Sequence, residues 1–212
     1  MSAVAEPAKT CALCPRLVAY RRDNATAHPD WFNGPAPSFG DPNARLLVLG
    51  LAPGRMGANR TGRPFTGDFA GKLLFETLLH FGFAEGTYLE RPDDGLRLID
   101  CMVSNAVRCA PPGNRPTPDE ENSCRPHLKA RLAALPNLRA VVTLGDVSRR
   151  NLLKALGLKA SAAAGGHGVI TDLANLRLYN SYHCSRLNTN TGRLTPQMFR
   201  DLFAKVRADL DA

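Results

Sequence analysis

Four short apolar runs, separated by stretches with helical periodicity, constrain this chain more than any other feature. They are Leu46–Leu51, Leu96–Val103, Leu138–Leu144 and Leu176–Tyr182. Uninterrupted apolar runs of this length suit strands buried on both faces. Between and after them, helical patterns run near Phe69–Phe81, Asp119–Leu135, Val147–Leu156 and Pro196–Leu210. One helix start is explicit: Thr117-Pro118-Asp119-Glu120 combines an N-cap, a proline at N1 and a capping-box glutamate. Thr195-Pro196 marks another. The alternation implies an α/β fold, a three-layer α/β/α sandwich around a central, mostly parallel four-stranded sheet. Such sheets bind ligands outside the carboxyl ends of their strands.

At 212 residues, one domain covering 1–212 is the expectation, with 1–10 as a flexible tail. No apolar run approaches the roughly 20 residues of a membrane helix, and Met1 to Thr10 lacks a signal core, so the chain reads as cytoplasmic; a monomer is the separate expectation. The Pro-, Gly- and Asn-rich segment Asp23–Asn43 reads as a long surface loop anchored by Trp31 and Phe32.

The net charge is +8, and its placement says more than its total. Pro42–Gly67, Cys101–Pro118 and Leu173–Arg200 together hold ten Arg and no Lys, Asp or Glu. Arginine presents a planar fork of donors suited to phosphate oxygens, and all three stretches begin at or pass the strand ends. Converging in space, they would form a face for an anionic ligand, of which nucleic acid is the commonest for a basic protein.

Six cysteines in such a chain point to metal or redox chemistry rather than a disulfide framework. Cys11 and Cys14 form a C-x2-C pair, and Cys109 and Cys124 a looser second pair. Four thiolates would complete a zinc or [4Fe–4S] site; alternatively Cys109 and Cys124 are buried small hydrophobes. Cys101 lies within an apolar run and reads as core. Cys184 follows His183, and neighbours in extended chain point to opposite faces, which disfavours a thiol nucleophile.

The loops carry the chemistry. The first run leads into Gly50-Leu51-Ala52-Pro53-Gly54, with no Gly-Lys-Ser/Thr to make a P-loop. Asn59-Arg60-Thr61-Gly62-Arg63-Pro64-Phe65-Thr66-Gly67-Asp68 then opens a helix, Asn105 follows the second run, and His183-Cys184-Ser185-Arg186-Leu187-Asn188 follows the last. In these residues, and in the four cysteines, the chain resembles the uracil-DNA glycosylase superfamily, most closely the family-5 (b-type) iron–sulfur enzymes. The resemblance runs from Cys11 to the final helix.

It implies a monofunctional enzyme that flips and hydrolytically excises uracil from DNA, with hypoxanthine, xanthine or other modified bases as further candidate substrates, to start base excision repair. It also implies a structural [4Fe–4S] cluster on Cys11, Cys14, Cys109 and Cys124. By the same resemblance, Gly50, Ala52, Pro53 and Gly54 line the base pocket, Phe65 stacks on the flipped uracil, Asn105 bonds its polar edge and His183 stabilises the departing anion. Leu187 takes the wedge position, with Arg186, Ser185, Asn188, Arg60 and Arg63 on the DNA.

The first loop lacks the acid or amide that other superfamily members use to orient water. Asp68 is the candidate for that role, and its place before a helix equally suits an N-cap. Cys184 stands where many relatives carry proline or an aliphatic residue. None of the six lysines lies in the acid-free stretches, which argues against a Schiff-base lyase. The competing reading is a non-catalytic nucleic-acid-binding module with a structural Fe–S or Zn site, which leaves Asn105, His183 and Asp68 without a role.

Overall fold

The computed structural model describes residues 6–212. Its helices are α1 (Pro15–Ala27), α2 (Ala58–Thr61), α3 (Phe69–His80), α4 (Pro118–Ala133), α5 (Asp146–Ala155), α6 (Arg186–Asn190) and α7 (Pro196–Asp211). Its strands are β1 (Phe39–Gly40), β2 (Leu46–Gly50), β3 (Ala84–Glu85), β4 (Arg97–Leu98), β5 (Cys101–Asn105), β6 (Ala140–Leu144), β7 (Ile170–Leu173) and β8 (Leu176–Ser181).

The main sheet runs β1-β5-β2-β6-β8-β7. Its four central strands are parallel, as expected, with Leu46 opposite both Cys101 and Ala140, and Ala140 opposite Arg177. The expected count of four is corrected to six, because antiparallel β1 and β7 cap the two edges. Neither carries a continuous apolar run in the sequence, because an edge strand has one bonded neighbour and does not need one. The run Leu96–Val103 also divides. Leu98 belongs to the β3/β4 hairpin and Cys101 starts β5, with Asp100 at φ +53 turning the chain between them. Its carboxylate holds Arg45, accepting from the backbone N at 2.8 Å and from Nε at 2.8 Å.

Alternate side chains of the central strands pack on opposite layers. Leu46, Val48, Val103, Val142 and Tyr179 join Leu74, Phe75, Phe199 and Phe203 of α3 and α7. Leu47, Leu49, Met102, Val141 and Leu178 join Leu128, Leu152 and Leu153 of α4 and α5. Burying each such Leu or Val contributes roughly 1.5–3 kcal/mol, which is why the register is fixed.

The stretch Asp23–Asn43 is not one surface loop. Its start completes α1, Asn33–Ala36 is buried, Ala36 N–H donates to the Arg108 carbonyl at 2.7 Å, and Phe39–Gly40 forms β1. Trp31 is half-buried and stacks on His28 at 3.9 Å. Residues 1–5 of the expected tail lie outside the described residues. Its remainder is anchored, since Glu6 pairs with Arg108 at 3.1 Å and also with Arg131.

Candidate active site

The carboxyl ends of β2, β5, β6 and β8 open on one cleft of about 490 Å³. The strand order changes direction about β2, and such a switch point leaves a crevice that helices cannot fill. Leu51–Gly54, Phe65, Asp68, Asn105 and His183 all line it, as do Ser185 and Arg186. The sequence-derived residues of the base pocket are therefore brought together.

Gly50 ends β2 beside Asn105, its register partner on β5. A Cβ at Gly50 would stand 2.5 Å from both Asn105 Oδ1 and Phe65 Cζ, so only glycine lets these two side chains close over the strand end. Asn105 is 2% exposed, and its Oδ1 is buried with no hydrogen-bond partner. A stranded acceptor costs roughly 1–3 kcal/mol. Phe65 is held at φ +55, where its carbonyl accepts from the Tyr88 hydroxyl at 3.0 Å. Its ring lies 6.3 Å from that of His183. Gly71 makes room for this kink, since a Cβ there would overlap the Phe65 carbonyl.

Asp68 does cap α3: Oδ1 accepts from the Gly71 N–H at 3.1 Å. Oδ2 faces the glycines of the first loop, where a Cβ on Gly57 would collide with it and one on Gly54 would touch it at 3.4 Å. One oxygen thus serves the helix while the other faces the cleft loop. Burial pushes this carboxyl above its usual range, opposed by the Gly71 and Ala70 amides. Burial also pushes the His183 imidazole below its usual value, favouring the neutral ring at neutral pH. Its neighbour Cys184 is buried core, with Sγ 3.6 Å from the Ala70 carbonyl, and its thiol is pushed up to about 12 by burial.

The segment after β8 forms α6, which Ser185 Oγ caps by accepting from Asn188 N–H at 3.5 Å. Leu187 is 72% exposed, the most exposed large hydrophobic side chain among the described residues. Arg186 lies over the Phe69 ring at 5.2 Å. Asn188 turns inward rather than outward, its Nδ2 donating to the His183 carbonyl at 2.8 Å.

Two arginines expected on DNA part company. Arg60 is exposed at the loop surface, with Nε donating to the Met56 carbonyl at 2.9 Å. Arg63 is not a surface charge: it is 5% exposed and holds Asp94 through two bonds of 2.8 and 2.7 Å. The expectation that it contacts DNA is corrected, because its fork is spent on a carboxylate 31 residues away in sequence.

Cys11, Cys14, Cys109 and Cys124 line a second, smaller pocket together with Leu17 and Val107. The Arg108 amide donates to Cys124 Sγ at 3.3 Å, and Arg21 Nη1 to Cys109 Sγ at 3.5 Å. Among the described residues, no group of three or more His, Cys, Asp or Glu side chains is arranged to hold a metal ion.

Several cleft residues were not anticipated from the sequence. Asn114, at φ +57, and Asp146, Val147 and Ser148 at the start of α5 also line the cleft. Gly145-Asp146 directly after an apolar run was the available signal, since it repeats the strand-then-glycine pattern of Leu49-Gly50.

Residues 37–207 match the model of the Uracil DNA glycosylase superfamily. The chain is 45% identical over 203 residues to the type-5 uracil-DNA glycosylase of Thermus thermophilus, covering 93% of this chain and 92% of that one. It is 43% identical to the type-5 uracil-DNA glycosylase of Pyrobaculum aerophilum, covering 94% and 88%. Similarity to a type-4 uracil-DNA glycosylase of the same organism is 32%, over 72% of this chain and 64% of that one. With the sheet, the cleft at its switch point and these matches agreeing, the chain belongs to the uracil DNA glycosylase superfamily and matches its type-5 members over nearly the whole length.

Proposed function

We propose that this protein is a monofunctional DNA glycosylase that excises uracil, starting base excision repair. The observation that carries the reading is the buried, unpartnered Oδ1 of Asn105 at the floor of a cleft shared with Phe65, Asp68 and His183. A buried acceptor without a donor is suited to a ligand that brings one, and uracil presents N3–H where cytosine presents an acceptor.

Uracil in duplex DNA must leave the stack to reach this floor, at a cost of a few kcal/mol. Exposed Leu187 would fill the vacated space, with Arg186 and Arg60 on the backbone. Phe65 would face the flipped ring while Asn105 Oδ1 accepts from N3–H. As the C1′–N1 bond breaks, its electron pair goes to the base, and the neutral imidazole of His183 donates an N–H to the developing oxyanion at O2. Asp68 Oδ2 orients a water toward C1′ and takes up its proton, leaving an abasic site. The apolar first loop sets little demand on ring shape, which extends the reading to hypoxanthine and xanthine.

The four-cysteine pocket supports a resident [4Fe–4S] cluster. Its lining brings four thiols to one pocket, and two of the sulfurs receive N–H bonds, as thiolate donors of a cluster commonly do. Cys11, Cys14, Cys109 and Cys124 would hold it. When bound it supplies structural cross-linking between the segment leading into α1, the loop after β5 and α4, with no electron transfer in the hydrolysis. Iron content and visible absorbance of the purified protein, both lost in Cys109→Ser, test this separately from turnover. In this reading the protein works as a cytoplasmic monomer; no helix among the described residues is long and apolar enough to cross a membrane.

The test is an end-labelled duplex with one uracil opposite guanine. Scission only after mild alkali is expected; scission without alkali would indicate a lyase. If the protein binds this duplex without releasing any base, and His183→Ala changes nothing, the binding-module reading stands instead.

A further inference from the structure

Next to α6 lies a further pocket, of about 360 Å³, that shares Gly145, Asp146 and His183 with the cleft. It is lined by Arg193, Tyr182 and Asn188. Arg193 is exposed and lies on the Tyr182 ring at 4.5 Å, with no carboxylate partner among the described residues. The pocket's own acid, Asp146, is already neutralised, by Arg149 at 2.7 Å and Arg150 at 3.4 Å. The lining thus keeps one uncompensated positive charge, held over the Tyr182 ring by cation–π contact. The arrangement mirrors the cleft side, where Arg186 lies on Phe69 at 5.2 Å. Exposed Leu187 and its two flanking arginines therefore belong to one short segment, one arginine over each pocket.

We infer that the Arg193–Tyr182 pocket is a second DNA subsite, which takes a backbone phosphodiester next to the nucleotide flipped into the cleft. The inference rests on the glycosylase reading. A phosphate fits better than a base, because the guanidinium already covers the Tyr182 face on which a base would stack. The guanidinium edge, by contrast, is left for oxygen acceptors. With Arg186 it would fix the backbone on both sides of the wedge, so that inserting Leu187 drives the nucleotide outward rather than sliding the duplex.

The decisive experiment measures binding of full-length protein to uracil duplexes across a salt series. Single methylphosphonates are placed at each phosphate within three nucleotides of the uracil, on either strand. R193Q is expected to lower the slope of log K against log salt by about one phosphate contact. R193K should keep most of that slope, and Tyr182→Leu should lose part of it. One methylphosphonate position should weaken wild type several-fold and leave R193Q unaffected, and its strand identifies which backbone the pocket holds. An R193Q slope equal to wild type, with no such position, overturns the inference while leaving base release intact. Failure of wild type to release uracil from the same duplexes sinks the glycosylase reading itself, and the subsite with it.

Discussion

Asn105 and Arg108 stand three residues apart where β5 runs out, both with almost no exposure, at 2% and 1%. Asn105 keeps an oxygen with no donor. Arg108 donates to the Ala36 carbonyl at 3.2 Å and to Ser38 Oγ at 2.9 Å, and it pairs with Glu6. Its own amide reaches Cys124. One residue is left unfinished for a ligand, and the other ties the N-terminal segment, the β1 lead-in and the cysteine corner together. The sequence Asn105-Ala106-Val107-Arg108 does not distinguish them, since both are polar residues in an acid-free stretch. Only the position of the partners does.

If that contrast is right, the two substitutions break different things. Arg108→Ala leaves the buried Ala36 carbonyl without its side-chain donor and takes away one of the two arginines that hold Glu6, and each lost buried contact of this kind costs roughly 1–3 kcal/mol. The expected outcome is a large drop in denaturant midpoint, with iron content falling alongside. Asn105→Ala removes an acceptor that already lacks a partner, so thermal melting should hold at or near the wild-type value. Single-turnover uracil release should fall about 10²–10³-fold, the scale of a lost oxyanion-type contact. A destabilised Asn105→Ala with normal release would dissolve the comparison.

The same logic explains what could be read in advance. The four parallel strands and the capped start of α4 were legible because burial on both faces and a capping box leave local marks; Thr117 and Glu120 do form that box. The base-pocket residues were legible through their order along the chain. Arg63 was not, because the Asp94 that neutralises it lies beyond α3, and nothing local separates it from exposed Arg60. Helix α1 was missed because its sequence is largely polar, with Leu17 its one buried apolar side chain. Nothing near Glu6 in sequence marks it as anchored, because its partners, Arg108 and Arg131, are more than 100 residues distant.

Asp68 sharpens the comparison because it belongs to both kinds of site at once. Asparagine caps a helix about as well as aspartate, so Asp68→Asn keeps the α3 cap and removes only the charge. A carboxyl whose folded pKa is raised costs stability above that pKa and returns it as pH falls. Asp68→Asn should therefore melt at or above wild type at neutral pH, whereas Asp68→Ala loses the cap, roughly 0.5–2 kcal/mol. Uracil release by Asp68→Asn should fall about 10²–10⁴-fold. In wild type the rate should decline as pH falls through the raised carboxyl value, and in Asp68→Asn that part of the acid limb should flatten. An unchanged acid limb in Asp68→Asn would leave Asp68 as a cap alone.

Leu187 tests the unfinished side at its cheapest point. With 72% exposure it contributes almost nothing to folding, so Leu187→Ala should shift stability by no more than about 0.5 kcal/mol. Its contacts form only when it enters the stack, and losing them should slow release from duplex DNA about tenfold, the equivalent of roughly 1.4 kcal/mol. Single-stranded uracil DNA has no partner strand to hold the base in, so the defect should largely vanish there. That ratio of duplex to single-strand rates isolates the wedge from the chemistry: an equal loss on both substrates would place Leu187 in general DNA contact rather than in opening the helix.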